Sequence, residues 1–172
     1  MPRPERSEFA EYYSAYIDKV EGDNVAATLA SQAAALQEML AGVDDARSHY
    51  RYAPDKWTLR QVIGHVNDCE RLFMFRAFWF ARAFDSPLPS FDQDAAILTA
   101  GSDSRPLGDH IAEFAALRQS TLMFVKNLPA DAWDRRGTAS DNPVTVRALL
   151  FIAAGHVEHH LRIIREKYLA PA

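Results

Sequence analysis

Cysteine is almost absent from this chain, since Cys69 is the only one among its 172 residues. A single cysteine excludes a disulfide within the chain. Long apolar runs are also lacking: none approaches the roughly 18 residues of a membrane-spanning helix. The stretch from Met1 to Phe9 contains no apolar signal core. We therefore expect a cytoplasmic protein in a reducing compartment, with no membrane partner.

An excess of positive charge is lacking as well. The chain carries 19 lysines and arginines against 23 acidic residues, which gives a formal net charge of -4. Proteins that bind nucleic acids present a basic face, and no basic stripe is visible here, so we expect no nucleic-acid partner. The hydrophobic content of 48% is ample for a core. The length is typical of one domain, expected to span residues 1–172.

Strand patterns are not visible either, whereas helical periodicity is strong. Thr58 and Gln61 are predicted to form a capping box at the start of the second long helix. The predicted long helices lie at about 24–41, 59–84, 107–127 and 143–168. Residues 8–20 are predicted to form a shorter helical arm, and the proline-punctuated segment 85–107 to be irregular and to line a site. The pattern predicts an all-α protein, a four-helix bundle with its core at about 24–169 and a short N-terminal helical arm.

The last predicted helix carries two histidines on its apolar face. His156 and His160 are four residues apart, so their rings point the same way, and they share that face with Ile152 and Ile163. Burying two imidazoles without partners is costly. A divalent metal ion would satisfy both rings, and hydrogen bonding within the core is the alternative. Glu158 falls off this face, so the glutamate base of a His-Glu-x-x-His metalloprotease is not indicated.

His65, on the shoulder of the apolar stripe of the second helix, is the candidate third ligand. Three imidazoles with open positions for water are typical of catalytic sites for zinc or nickel, with iron or copper as alternatives. Asp68, one turn away, is predicted to orient His65 or a bound water from the second coordination shell. Cys69 is either a small buried apolar residue or a fourth ligand. His159 is an alternative to one member of the pair on the last helix.

These residues also carry a resemblance. Trp57-Thr58 leading into His65-Val66-x-Asp68, followed in the last helix by His156-x-x-His159-His160-Leu161, resembles the motifs of the DinB / YfiT-like family. The resemblance implies a four-helix bundle of up-down-down-up topology with one divalent metal ion per chain, held by His65, His156 and His160. It also implies a homodimer. The aromatic series from Phe73 to Phe84, which wraps more than one face of the second helix, likewise favours a dimer.

The resemblance further implies chemistry at the metal. Characterised members include S-transferases that use low-molecular-weight thiols, a mycothiol-dependent isomerase and metal-dependent hydrolases. We therefore expect a metal-dependent enzyme with a small-molecule substrate. By family analogy it would be an S-transferase, in which the metal binds a low-molecular-weight thiol as its thiolate; a metal-dependent hydrolase, in which the metal activates water, is the close alternative. A different class is a non-catalytic, metal-stabilised binding or dimerisation module of the stress response.

Overall fold

The computed structural model describes residues 2–170, most of them in helices. Within that range the α-helices are, in chain order, α1 (Ser14–Ile17), α2 (Val25–Leu40), α3 (Asp45–Ser48), α4 (Leu59–Ala81), α5 (Gln93–Thr99), α6 (Leu107–Lys126) and α7 (Val146–Ile163). Two strands, β1 (Arg136–Ala139) and β2 (Asn142–Thr145), form an antiparallel hairpin. Single 3-10 turns occur at Arg6–Glu8, Glu11–Tyr13, Ser102–Ser104 and Ala130–Ala132, and α7 continues into a π-helical turn at Ile164–Tyr168.

The four long helices α2, α4, α6 and α7 lie close to their predicted positions. The predicted capping box at the start of α4 is present: the Gln61 backbone N–H donates to the Thr58 hydroxyl at 3.0 Å, and the Thr58 N–H donates to the Gln61 side chain at 2.9 Å. This reciprocal pair satisfies two N–H groups that a helix start leaves free. At the other end, α4 stops at Ala81, because Ala83 adopts a left-handed conformation with φ of 60°.

Contacts between the long helices fix their directions. Asn67 reaches the backbone of His110, and Glu70, further along α4, reaches Arg118 of α6, so these two helices run parallel. The long connection between them makes a parallel crossover possible. By contrast, α4 and α7 run antiparallel, because Tyr168, beyond the end of α7, donates to the carbonyl of Trp57 at 2.7 Å.

The first helix of the bundle, α2, packs against both α6 and α7. Leu29 shares one apolar cluster with Leu150, and Leu36 shares another with Leu161, so α2 and α7 run in the same direction. The bundle is therefore up-down-down-up, as the family resemblance implied. No helix among residues 2–170 is both long and apolar enough to cross a membrane.

The hairpin is a feature that the sequence analysis missed, because residues from 143 onward were predicted to open the last helix. Instead, Pro143 pairs with Thr138 in the hairpin, and α7 begins at Val146 with Thr145 as its N-cap. Pro143 and the β-branched Val144 suit an edge strand better than a first helical turn.

The turn of this hairpin explains why the prediction failed. Ser140 and Asp141 have φ angles of 52° and 61°, the left-handed pair that a two-residue type I′ turn requires. Type I′ turns are usually recognised in a sequence by Asn-Gly or Asp-Gly, and the dipeptide Ser-Asp does not predict such a turn. Leu88 extends the structure, because its N–H donates to the Thr138 carbonyl at 2.9 Å and its carbonyl accepts from Ser140 at 3.1 Å.

The two segments outside the bundle also differ in detail from their predictions. The N-terminal arm is helical but broken: two 3-10 turns precede the single turn of α1, which packs on α7. The segment 85–107 is not irregular throughout, since it contains α5 and the turn at Ser102–Ser104. Both segments lie against the part of the bundle core that carries the histidines.

A buried polar layer separates two apolar clusters in the bundle. Arg118 of α6 donates to Glu70 of α4 at 3.1 Å and to the side-chain oxygen of Gln32 of α2 at 2.9 Å. Gln32 in turn donates to the Ala154 carbonyl of α7 at 2.8 Å and to Glu158 at 2.7 Å. One network of hydrogen bonds thus connects all four long helices.

Candidate metal centre

Three histidine side chains meet between α4 and α7. His65 lies in the second turn of α4, and His156 and His160 lie one turn apart near the end of α7. The Nε2 atom of His156 is 3.0 Å from Nε2 of His65 and 3.2 Å from Nε2 of His160. Nε2 of His156 therefore contacts the same nitrogen of both other rings, although His65 lies on a helix distant in sequence from the other two.

Burial keeps these rings neutral. All three histidines are buried, and burial lowers the pKa of His65 to about 4, with a further contribution from His159. Burial also holds the pKa values of His156 and His160 well below the ordinary range, and the neighbouring histidines add to the effect. A neutral imidazole has a free lone pair on one nitrogen, which is the form that binds metals.

The arrangement fits a metal ion. Ligand nitrogens at about 2.0–2.1 Å from a tetrahedral ion are about 3.4 Å apart, close to the 3.0 Å and 3.2 Å that separate the Nε2 atoms here. Neutral rings cannot all satisfy one another's hydrogen bonds. Nε2 of His156 carries either one hydrogen or one lone pair, so it cannot pair with both neighbouring Nε2 atoms. In addition, the buried Nδ1 of His160 has no hydrogen-bond partner within the described residues.

Cys69 lies at the edge of the histidine cluster. Its sulfur is 3.6 Å from Nε2 of His65, and the possible ligand atoms of His65, Cys69 and His156 all lie within 4.8 Å of one another. Burial, and to a lesser degree the nearby carboxylate of Asp68, raises the pKa of the thiol to about 12. In the absence of a metal the thiol therefore stays protonated. The burial of Cys69 fits its predicted role as a small buried residue, and the short distance from its sulfur to His65 fits the alternative role as a fourth ligand.

Two other predicted site residues lie apart from the cluster. His159 is only partly buried, and its ring packs edge-on against Tyr16 at a centroid distance of 5.4 Å. Asp68 contacts Arg71 at 3.7 Å and lines a cavity of about 520 Å³ between α4 and α5. In the part of the chain that the structure describes, Asp68 makes no hydrogen bond to a histidine of the cluster, because its carboxylate faces this cavity between α4 and α5 instead. Its predicted role beside His65 therefore has no support from the geometry.

Two cavities reach the histidine cluster, one at His156 and the other at His160. One, the tyrosine cavity, has a volume of about 110 Å³, and its lining includes Tyr12, Tyr13, Tyr16, Cys69, Arg76 and His156. The other, the His160 cavity, measures about 260 Å³, and its lining includes Tyr52, Lys56, Trp57, Asp94, His160 and Tyr168. Gln93 lines the first cavity and Asp94 the second. The start of α5 thus lies between the two openings, so the segment 85–107 contributes to the lining of both cavities.

Aromatic rings hold the histidines in place. The ring centroid of Trp57 is 4.9 Å from that of His65, and Phe73 and Tyr16 approach His156 at 5.6 Å and 5.4 Å. Trp57 belongs to the motif that the sequence analysis singled out. Tyr16 was missed, because nothing in the sequence of the N-terminal arm indicates that it folds back onto α7.

A known protein family matches most of the chain. The model of the DinB superfamily matches residues 26–164, which includes all four long helices and all three histidines. The chain belongs to the DinB superfamily. This result confirms the family resemblance seen in the sequence, and within the DinB superfamily the bundle topology found above has a solved counterpart.

That counterpart is YfiT from Bacillus subtilis, described as a probable metal-dependent hydrolase with an unusual four-helix bundle topology. The two structures superimpose with a TM-score of 0.75 over 95% of this chain and 89% of YfiT, at 19% sequence identity. At that identity the similarity establishes the fold alone. Among curated proteins, no match to this DinB-superfamily chain is found.

Proposed function

We propose that this protein is a metal-dependent hydrolase in which His65, His156 and His160 hold one divalent ion, most simply zinc or nickel. The proposal rests on the contacts of His156, whose buried Nε2 atom is 3.0 Å from Nε2 of His65 and 3.2 Å from Nε2 of His160. The description of YfiT as a probable metal-dependent hydrolase supports it. Three protein ligands leave a coordination position free, which is typical of catalytic rather than structural zinc.

The chain's own residues prepare the site for hydrolysis. Burial keeps the three imidazoles deprotonated, so they bind a cation without first releasing protons. Trp57 and Phe73 fix the ring planes of His65 and His156. When bound, a divalent ion supplies a Lewis acid that lowers the pKa of water and polarises a carbonyl oxygen. The two cavities provide separate approaches for substrate and for solvent.

A thiol-dependent S-transferase is the second candidate, and the His160 cavity is the observation that favours it. With about 260 Å³ it is larger than the tyrosine cavity. Trp57 and Tyr168 offer apolar rings to the carbon chain of a low-molecular-weight thiol. Lys56, paired with Asp55 at 2.6 Å, supplies polar groups at the same wall. A thiol bound there would reach the cluster at His160.

Elemental analysis of protein purified without a histidine tag tests the metal site. We expect about one metal ion per chain in the wild type, and its loss in His65→Ala and in the double variant His156→Ala/His160→Ala. His159→Ala is the matched control, because His159 lies on the same helix outside the cluster and should leave the metal content unchanged. Full metal content in His65→Ala would contradict the assignment.

Activity assays then separate the reactions. Ester, thioester and amide hydrolysis are measured beside transfer of a small thiol to an electrophile, each with the wild type and with His65→Ala. Thiol-independent hydrolysis that His65→Ala abolishes supports the hydrolase. Turnover only when a thiol is added favours the S-transferase. Stoichiometric metal with no turnover in any assay would move the protein to the class of metal-stabilised binding modules.

A further inference from the structure

A buried arginine without an acidic partner lies beside the histidine cluster. Arg76 of α4 is 2% exposed and lines the tyrosine cavity together with Cys69 and His156. Its Nη2 atom donates to the Pro89 carbonyl at 2.8 Å and to the Ser140 hydroxyl at 3.0 Å. Its Nε atom is buried and has no hydrogen-bond partner within residues 2–170. Arg76 therefore has an unused donor at the wall of a cavity.

The other buried arginines are neutralised by carboxylates. Arg60 pairs with Asp45, and Arg118 pairs with Glu70 at 3.1 Å. Arg76 forms no ion pair with any carboxylate in the described part of the chain, and its two acceptors are a carbonyl and a hydroxyl. Buried charges in proteins are normally paired, because an isolated charge away from water is costly. The missing negative charge at Arg76 is thus a specific property of this cavity.

The hairpin and the chain around Leu88 hold the guanidinium in position. Ser140 occupies the left-handed turn of the hairpin, with φ of 52°, and its backbone is tied to Leu88. Burial raises the pKa of Tyr13, and the adjacent Arg76 guanidinium opposes that effect. The Tyr13 hydroxyl therefore remains a protonated donor next to the guanidinium. Two donors of fixed position face the same small volume.

We propose that the tyrosine cavity binds the carboxylate of a small organic acid and that Arg76 is its substrate-binding residue. The single charge of a carboxylate matches the single guanidinium, which is the only cationic side chain among the residues that line this cavity. A phosphate dianion would bring a second charge, and no second cationic side chain lines the cavity to meet it. The volume of about 110 Å³ admits only a small group. The inference rests on the proposed function in one respect: the bond that is hydrolysed would lie between the bound carboxylate and the histidine cluster.

Binding of propionate, compared with its neutral isostere propionamide, tests this inference without any need for turnover. Each ligand, labelled with 13C, is titrated by NMR into the protein as purified. We expect propionate to bind about tenfold or more tighter than propionamide, because charge-assisted hydrogen bonds are about twice as strong as neutral ones. Arg76→Met, which keeps the volume and removes the charge, should abolish this preference. Arg82→Gln, which removes an exposed charge near the end of the same helix, should preserve it.

Several results would overturn the inference. Equal binding of propionate and propionamide by the wild type would do so, as would an unchanged preference in Arg76→Met. If inorganic phosphate displaced propionate at a lower concentration than that of propionate, the ligand of this cavity would be a phosphate and not a carboxylate. Arg76→Lys guards against a folding defect, since it keeps the charge and should retain part of the preference. Arg76-dependent binding in a protein without metal or hydrolysis would leave this site standing while the proposed function fails.

Discussion

At the scale of single residues, the proposed metal chemistry depends on which side chains of the histidine cluster would bind the ion. The sulfur of Cys69 is 3.6 Å from Nε2 of His65, and Nε2 of His160 is 3.2 Å from Nε2 of His156. A site with three histidines keeps the protein ligands all neutral. A cysteine ligand would have to lose a proton whose pKa burial has raised to about 12.

Cobalt substitution distinguishes these ligand sets. We expect the cobalt-loaded wild type to lack the near-ultraviolet band of sulfur-to-cobalt charge transfer, because Cys69 stays outside the coordination sphere. We also expect Cys69→Ala to retain metal, whereas His160→Ala loses it. The absorption spectrum of the cobalt protein, together with metal content of the two variants, provides the measurement. A charge-transfer band that disappears in Cys69→Ala would make the sulfur a ligand.

Sequence reasoning identified residues that meet in the structure where their position is set by helical spacing. His156 and His160 share a face by periodicity alone, and His65 was found because it lies near the apolar stripe of its own helix. Arg76 and Tyr16 were beyond reach for a different reason. The partners of Arg76 come from the segment around Pro89 and from the hairpin turn at Ser140, and no local pattern encodes that meeting.

At the scale of elements, the N-terminal arm and α7 approach each other unusually closely. A Cβ atom on Gly155 would lie 2.0 Å from the carbonyl oxygen of Tyr16. Alanine normally stabilises a helix interior by about 1 kcal/mol relative to glycine. Here we expect Gly155→Ala to be destabilising instead, because the arm must move away from α7.

Chemical denaturation compares this variant with the wild type, and Gly42→Ala is a control, since a Cβ there meets nothing within 4 Å. We expect Gly155→Ala to lower the free energy of unfolding by about 1–3 kcal/mol. Displacement of Tyr16 should also widen the tyrosine cavity and speed alkylation of Cys69. A more stable Gly155→Ala protein would show that the arm does not pack on α7 as described.

Glu8 fastens the same arm to the start of α7. Its carboxylate accepts hydrogen bonds from Arg147 and, at 2.7 Å, from the hydroxyl of Thr145. Burial alone would raise the pKa of Glu8, but these bonds outweigh it and the pKa is lowered. A carboxyl whose pKa is lower in the folded state stabilises that state above its unfolded pKa. That stability is lost as pH falls through the lower, folded value.

We therefore expect Glu8→Gln to lower the free energy of unfolding by about 1–3 kcal/mol at neutral pH and the difference from the wild type to vanish in acid. Denaturation curves recorded from pH 7 down to about pH 3 give both values. Glu11→Gln is the control, because Glu11 is exposed and its ion pair with Arg6 is long, at 3.9 Å. This substitution should change the free energy of unfolding by no more than about 0.5 kcal/mol. A pH-independent difference would exclude the Glu8 carboxylate as the source.

At the scale of the whole molecule, the proposed metal ion would couple its binding to folding, because the cluster joins α4 to α7. A ligand at about 100 times its dissociation constant adds about 2.7 kcal/mol to the stability of the folded state. For a protein of this size we expect zinc or nickel to raise the melting temperature by about 5–10 °C. Thermal scans with and without metal test this, and His156→Ala/His160→Ala should show no increase. An equal increase in that variant would place the stabilising metal elsewhere.

Association of two chains is also expected, and α4 offers the surface for it. Phe75, Phe78 and Phe84 are 50%, 41% and 48% exposed, although large apolar patches are rare on monomers. We expect light scattering to give the mass of a homodimer for the wild type and of a monomer for Phe75→Ser/Phe78→Ser. The exposed Leu98→Ser is a control that removes apolar surface from α5 instead. A monomeric wild type would contradict the expected dimer.

The bundle itself could be predicted because its four long helices are amphipathic and end at recognisable signals such as the capping box of Thr58 and Gln61. The hairpin could not, since its turn uses Ser140 and Asp141 in left-handed conformations that favour other residue types. The up-down-down-up order came from the family resemblance, because periodicity states which face of a helix is buried but not which helix it meets.

The polar layer of Gln32, Glu70 and Arg118 has one further consequence for the bundle. A helix displaced along its axis by one turn, about 5.4 Å, would leave buried charges of this layer without their partners, and that is expensive. The layer therefore selects a single register for the four helices. That register sets His65 level with His156, so residues outside the proposed metal site would determine the spacing of its ligands in advance. Binding then requires little reordering, and less of the gross affinity is lost to entropy.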